Sequence, residues 1–418
     1  MDATQLEWAI PIFAFGDEGT ALRKTNAMVL GWEPILGQGT QLNVDDGVHE
    51  GEDWLQLLNF VGSTWRTRLL YACMHSKVYR KKPDRLEALM TEWAADLHRL
   101  QREGLRVQYG AGEVTVRLIC LGFKGDLPAL RKCGNLTRHF LRETVPHGPG
   151  MCHLCMANTS CCPAWHTWDW TETLGDDVFL PPFAAGQESA MTRDIHGGLA
   201  KARFWLPDPF HTFHKGVHAE LAGSAIVVLL DFNYYEGGKF EDRLLRVHHD
   251  LADFAKNSKP KNWFKGADTT IVLKWLHLKF LEVCMDHPSS DYLQEICKCL
   301  ERSNAFFSLL YRSKLWLSKR EGRAAKNAGL EMLAAYKRCA AFAHDLGVPR
   351  FKLQPKLHFA MHIVLSLKEM PCLNVLAHAC QQNEDFINKI SWLCRRVSQQ
   401  NLHKNVLLQY LVSVAQHW

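Results

Sequence analysis

The sequence predicts an α/β protein in which a mixed β-sheet is interrupted by a large all-helical insertion. Short apolar segments with β-branched residues and glycine breaks fill roughly the first 130 residues, as is typical of strands. From 177 to 350 the apolar residues recur at helical spacing instead. Because 47% of the 418 residues are hydrophobic and 22% are charged, the chain can build a large core.

Three strands are predicted before the first long helix. Residues 8–15, WAIPIFAF, form the first strand, which ends at the acidic, glycine-flanked segment 16–19, GDEG. Residues 26–32 and 64–74 form the second and third strands. The helix follows over 83–103, where leucines, a methionine and a tryptophan make one apolar stripe.

The fourth strand covers residues 114–125 and leads directly into Asp126. Pro128 and Gly134 mark the start and end of a short helix, so Asp126 is expected to cap that helix. An acid at the carboxyl end of a strand also lies where open α/β sheets bind ligands. Both interpretations of Asp126, a helix cap and a metal ligand, remain open.

The order of these elements brings two acids together. A helical crossover after three antiparallel strands returns the fourth strand parallel to the first, and a right-handed crossover places it beside the first. Asp17 and Asp126 would then leave the carboxyl ends of adjacent parallel strands. Two divalent ions roughly 4 Å apart need such shared carboxylates. This is the RNase H-like strand order, and it predicts a two-metal site.

In the RNase H-like plan, a third carboxylate is expected from a helix after the insertion. Asn383 is a suitable N-cap, and Glu384 and Asp385 lie in the first turn of the helix that follows. Glu384 is the first candidate for the third acid and Asp385 the second. The alternative is that Glu384 is a surface acid that complements the helix dipole.

A small zinc-knuckle-like loop is predicted over residues 152–166, CHLCMANTSCCPAWH. Cys152 and Cys155 form a CxxC half-site for zinc. The remaining ligands would be His166 and either Cys161 or Cys162. The alternative is a cysteine-rich loop of buried thiols.

Two groups of histidines fall at helical spacing. His211, His214 and His218 share one helix face, and His358 and His362 lie four residues apart. Such histidines can bind a metal, or they can form a polar seam or contact phosphate. A metal-dependent hydrolase built on them would require a carboxylate in the same pocket.

Charge and composition limit the possible partners and the compartment. The net charge of +5 does not by itself predict nucleic-acid binding, but residues 311–356 hold eleven Lys or Arg against three acids. That segment is either a phosphate-binding patch or a solvated helix face. The most apolar stretch, 221–230, is too short to span a bilayer. Fourteen cysteines without a secretory signal predict a reducing compartment.

The ordered set of motifs resembles eukaryotic cut-and-paste DDE transposases, in particular the Kyakuja–Dileera–Zisupton and Plavaka-like superfamilies. The resemblance covers nearly the whole chain. The motifs that carry it are FAFGDEG, GDLPALRK, CHLC, FHTFHKGVHAELAGSAI, QPKLHFAMH and NEDFINKI.

The resemblance implies an RNase H-like catalytic core with a Mg2+- or Mn2+-dependent triad of Asp17, Asp126 and Glu384. The implied chemistry is attack on a DNA phosphodiester, first by water and then by a 3′-hydroxyl. It also implies DNA as partner, a possible homo-oligomer and a nuclear location.

The same resemblance predicts a four-part organisation. Residues 1–150 would be the first part of the core, 151–176 the Cys/His loop, 177–350 the helical insertion, and 351–418 the helices that complete the core.

The sequence also departs from the resembled family. It begins almost on the first strand, without the separate DNA-binding domain of the family, so a truncated or decayed copy is a realistic expectation. The alternative function is therefore a catalytically inactive, transposon-derived protein that binds nucleic acid or another protein.

Overall fold

The structure is a computed structural model of the chain. It describes residues 3–22, 25–45, 56–142, 150–159, 181–195, 201–257, 268–368 and 372–417. The strands are β1 Ala9–Leu22, β2 Thr25–Pro34, β3 Leu36–Gly37, β4 Leu57–Leu58, β5 Leu69–His75, β6 Leu105–Tyr109, β7 Gly112–Gly125, β8 Trp205–Pro207, β9 Trp316–Leu317 and β10 Cys372–Leu373. The helices are α1 Ala3–Glu7, α2 Gln41–Asp45, α3 Thr64–Thr67, α4 Ser76–Lys81, α5 Asp84–Arg102, α6 Leu127–Gly134, α7 His218–Asp231, α8 Phe240–Asn257, α9 Asp268–Asp286, α10 Asp291–Arg312, α11 Lys319–Asp345, α12 Pro355–Ser366, α13 Gln381–Arg396 and α14 Leu402–His417.

The chain forms two compact units. The sheet unit comprises Met1–Thr40, Val48–Asp208 and Gln382–Trp418, and the helical unit comprises Gln41–Gly47 and Pro209–Gln381. The predicted α/β class is confirmed in its coarse form, a mixed sheet with many helices. The predicted boundaries at residues 150, 176 and 350 stay predictions.

One mixed sheet of six strands forms the centre of the sheet unit. Its order is β5-β2-β1-β7-β6, and β8 also pairs with β7. β1 runs antiparallel to β2 and parallel to β7, while β5 is antiparallel to β2 and β8 is parallel to β7. The predicted parallel pairing of β1 with the strand that leads into Asp126 is therefore present, but α5 leads into β6, and β7 follows from β6 as an antiparallel hairpin.

The acidic segment of the first strand differs from the prediction. β1 does not end at Phe15 but continues through Asp17, which pairs with Val29 of β2. The parallel pairing with β7 stops earlier, at Phe15 and Lys124. The hairpin partner thus extends β1 beyond its parallel ladder, and Asp17 still lies where that ladder ends.

The third predicted strand is also shorter than expected. Residues 64–67 form α3, and β5 begins only at Leu69. Arg68 between them is extended and buried.

Side chains alternate between the two faces of β1, and each face packs against different helices. Ile12 and Ala14 belong to a core cluster with Trp93 of α5. Phe15 belongs to a second cluster with residues of α13 and α14, and its ring meets Phe386 edge-on at 5.9 Å. Because side chains alternate along a strand, Asp17 shares the α13 face with Phe15.

The helical unit is built from α7 to α12, with a core rich in phenylalanine and leucine. Ser290 caps α10, and Ser318 with Glu321 forms a capping box at the start of α11. A π-helical segment, Phe210–Val217, precedes α7 without a break. No helix among the described residues is long and apolar enough to cross a membrane.

Candidate metal centre

Asp17 is the first acid of the candidate centre. It is half-buried on β1, and its Oδ1 accepts a hydrogen bond from the Glu18 backbone N–H at 2.6 Å. The preceding residue is Gly16, whose carbonyl oxygen would lie 2.6 Å from a Cβ placed on Gly125 of β7. The two backbones therefore approach closely just before Asp17 and Asp126, and only glycine fits at Gly125.

Asp126 begins α6 as its N-cap. Its Oδ1 accepts a hydrogen bond from the backbone N–H of Ala129 at 2.7 Å, which satisfies one of the exposed donors at the helix start. A carboxylate has two oxygens, so capping through Oδ1 is compatible with a metal bond through Oδ2. The structure thus shows the predicted cap and leaves the predicted metal role as a prediction.

The pKa of the Cys133 thiol on α6 is affected by the charges of both Asp17 and Asp126. Burial raises the pKa of Cys133 well above its ordinary value, and the nearby charges of Asp126, Asp17 and Glu18 raise it further against the opposing effect of Lys132. Asp17 and Asp126 therefore both lie within electrostatic range of one buried side chain.

Glu384 of α13 lies beside Asp17. Carboxylate oxygens of the two residues are within 4.8 Å of each other. α13 is held against β1 at Gly19, where an added Cβ would lie 1.9 Å from Ser391 Oγ and 2.9 Å from Ile387 Cγ2. The close packing at Gly19 brings the first turn of α13 to the end of the parallel ladder.

Asp385, the second candidate for the third acid, is engaged elsewhere. Its Oδ2 accepts a hydrogen bond from Thr64 Oγ1 at 2.5 Å and lies 2.7 Å from Lys389 Nζ. Asp385 therefore fastens α13 to α3, while Glu384 faces Asp17.

Glu18 is adjacent to Asp17 but lies on the opposite face of β1. Burial alone would raise its pKa, but hydrogen bonds from Lys132, Tyr79 and Asn26 outweigh burial and lower the pKa to about 2. The Tyr79 hydroxyl is 2.5 Å from Glu18 Oε1 and the Asn26 amide 3.2 Å from Oε2. Glu18 is thus a structural anion, paired with α6 and α4.

Cys152 and Cys155 form a buried pair of thiols. Both are fully buried. Burial raises the pKa of Cys152 well above its ordinary value, and a hydrogen bond with Cys155 raises it further. Arg138 holds the loop by donating from Nε to the Cys152 carbonyl oxygen at 3.1 Å. Cys161, Cys162 and His166, the predicted remaining ligands, lie outside the described residues.

His358 and His362 form a second pair, on one face of α12. Their Nε2 atoms are 3.1 Å apart, and His358 is fully buried. Two nitrogens bound to one tetrahedral zinc would lie about 3.3 Å apart, given Zn–N bonds of about 2.0–2.1 Å. The pair therefore already has the spacing of two ligands of one ion.

Asp17 and Glu384, both in the sheet unit, are a pair of acids that could hold a metal ion. His211 belongs to the helical unit, on the segment Phe210–Val217. Thiolates with imidazoles suit zinc, whereas carboxylates suit Mg2+ or Mn2+.

The other two histidines of the 211–218 set have different surroundings. His214 Nε2 is 3.3 Å from the Tyr311 hydroxyl. His218 is fully buried, its ring lies 5.1 Å from that of Phe307, and burial lowers its pKa well below the ordinary value. His218 is therefore a neutral core residue.

Comparison of the sequence with known proteins found no matching family model and no matching curated protein.

Proposed function

We propose that this protein is a DDE transposase-like enzyme that cleaves and joins DNA strands with Mg2+ or Mn2+ on an RNase H-like core. The observation that carries the proposal is the approach of the Asp17 and Glu384 carboxylate oxygens to within 4.8 Å. Two carboxylates this close repel each other, and a bound cation relieves the repulsion. DNA would be the partner, a homo-oligomer the working form and the nucleus the location.

The sheet order supports the choice of chemistry. β1 is central, antiparallel to β2 and parallel to β7, which is the strand order predicted for an RNase H-like core. Asp17 and Asp126 follow the two glycines at which these parallel strands approach each other. Glu384 comes from a helix packed on the same face, so the three acids derive from three separate elements.

In this mechanism Asp17, Asp126 and Glu384 would hold the ions. Three acids suit Mg2+, which binds few protein carboxylates and keeps several of its waters. The bound ions would activate the attacking hydroxyl and offset the charge on the leaving oxygen. Asp17 and Glu384 are half-buried, so both side chains keep part of their surface exposed to solvent.

We further propose that Cys152 and Cys155 supply two ligands of a structural zinc. Their thiols are buried side by side, and thiolates are ligands that zinc prefers. Zinc content measured on purified protein tests this. A Cys152→Ser variant should lose the metal, and a Cys284→Ser variant, altered at a half-buried thiol outside this pair, should keep it. Equal zinc in all three proteins would contradict the assignment.

A second candidate function is a catalytically inactive protein that binds nucleic acid or another protein. The Asp126 cap favours it, because helix capping alone explains an acid at that position.

A nicking assay on supercoiled DNA with Mg2+ or Mn2+ separates the two candidates. Wild type should nick, and Asp17→Asn and Glu384→Gln should each lose the activity. Asp385→Asn is the matched control, since it removes a neighbouring acid that is already bound to Lys389. Absence of nicking by folded wild type, or nicking that survives Asp17→Asn, would leave the binding function.

A further inference from the structure

A buried ionic network lies on the same face of the sheet as the candidate metal centre. Glu33 of β2 is 2% exposed and has three partners among the described residues. Lys124 Nζ lies 2.6 Å from its Oε1 and Arg68 Nε 3.0 Å from its Oε2. The third partner is Asn383 of α13, whose Nδ2 donates to Oε2 at 2.8 Å.

The members of this network are all fully buried, which is costly for charged groups unless they are paired. The network brings one carboxylate together with two cations. Arg68 is additionally fixed by the Asn59 carbonyl oxygen, to which it donates at 2.8 Å. The network is therefore a rigid anchor and not a mobile surface pair.

This network touches the elements that carry the three acids. Lys124 precedes Asp126 by two residues on the same chain segment, and Lys124 pairs in register with Phe15. Asp17 follows Phe15 by two residues, which is roughly 7 Å along a strand. Asn383 immediately precedes Glu384. A displacement of Glu33 would therefore move Glu384 relative to Asp17.

We propose that Glu33, through Asn383, is a positioning residue that sets the place of the Glu384 carboxylate beside Asp17. This inference rests on the proposed metal-dependent function. Asn383 would act as the link, because it is the member of the network that belongs to α13. Lys124 and Arg68 would hold the Glu33 carboxylate in the orientation that receives the Asn383 amide.

Mn2+ binding, followed by electron paramagnetic resonance of the free ion, tests the proposal without requiring DNA cleavage. Asn383→Ala should weaken Mn2+ binding about tenfold, since loss of groups that orient metal ligands usually costs about 10–100-fold in affinity. Asp385→Asn is the matched control. It loosens the same turn of α13 through Thr64 and Lys389, and should leave the affinity within twofold of wild type.

A double variant distinguishes positioning from general loosening of the fold. Glu33→Gln combined with Asn383→Asp keeps the summed charge and reverses the direction of the hydrogen bond. It should bind Mn2+ more tightly than Glu33→Gln alone, whereas a merely structural role predicts that two substitutions are worse than one.

The outcomes separate the inference from the proposed function. If wild type does not bind Mn2+, or if Asp17→Asn binds it equally well, the metal centre itself is refuted. If wild type binds and Asn383→Ala binds as tightly, the metal centre stands and the positioning role is refuted.

Discussion

The ion pair of Glu18 gives a prediction whose size follows from the structure. Replacing Glu18 with Gln removes a carboxylate that accepts hydrogen bonds from Lys132, Tyr79 and Asn26. Its pKa falls from 4.5 to about 2 in the folded protein. At about 1.36 kcal/mol for each pKa unit, this difference corresponds to at most about 3.4 kcal/mol. Lys132 is 31% exposed and Arg80 is 61% exposed, so solvent screening reduces the expected loss to about 2 kcal/mol.

The sign of the pH dependence follows from the lowered pKa. A depressed carboxyl pKa stabilises the fold fully above the unfolded value near 4.5, and the contribution is lost as the pH falls towards 2. The difference in unfolding free energy between wild type and Glu18→Gln should therefore shrink to roughly half or less near pH 3. Urea unfolding of both proteins at pH 7, 4 and 3 measures it. A difference that is constant over this range would refute the reasoning.

Three further predictions concern packing. Phe386→Ala should lower the free energy of unfolding by about 3–5 kcal/mol, because its fully buried ring joins α13 to the sheet. Trp392→Ala, on the exposed side of the same helix, should lower it far less. Urea unfolding of both variants measures the difference. Gly125→Ala should destabilise the sheet unit, since its Cβ would lie 2.6 Å from the Gly16 carbonyl oxygen, and an unchanged melting temperature would contradict that contact. His218→Phe should not lower the melting temperature, because neither ring nitrogen of His218 has a hydrogen-bond partner among the described residues; a large loss would contradict a purely apolar environment.

Local pattern predicted the elements that position the centre. The apolar stripe placed the helix at 83–103, against Asp84–Arg102 in the structure. The strand before Asp126 and the cap that follows were predicted because β-branched alternation and the proline are local signals. The approach of Glu384 to Asp17 was predicted only from the RNase H-like plan, since no local pattern joins residues so far apart in the chain.

Other features had no local signal. Glu33 and Lys124 are charged, and charged residues are ordinarily at the surface, so their burial depends on partners that only the fold supplies. The CxxC pair was visible in the sequence, but its spacing does not show which residues would supply two further ligands. β1 extends beyond its predicted end at Phe15, because β2, its hairpin partner, continues to pair with it there.

Because Asp17 and Glu18 face opposite sides of β1, the strand should tolerate substitutions better than insertions or deletions of single residues. Successive residues of a strand face opposite sides, so a one-residue shift exchanges every side chain between the faces. Deleting or inserting one codon between β1's start and Asp17 would turn Glu18 towards α13 and Asp17 towards Lys132. One change of length would then disable the metal centre and the Glu18 ion pair together. We therefore expect homologous sequences to vary in residue type along β1 but to keep its length up to Asp17.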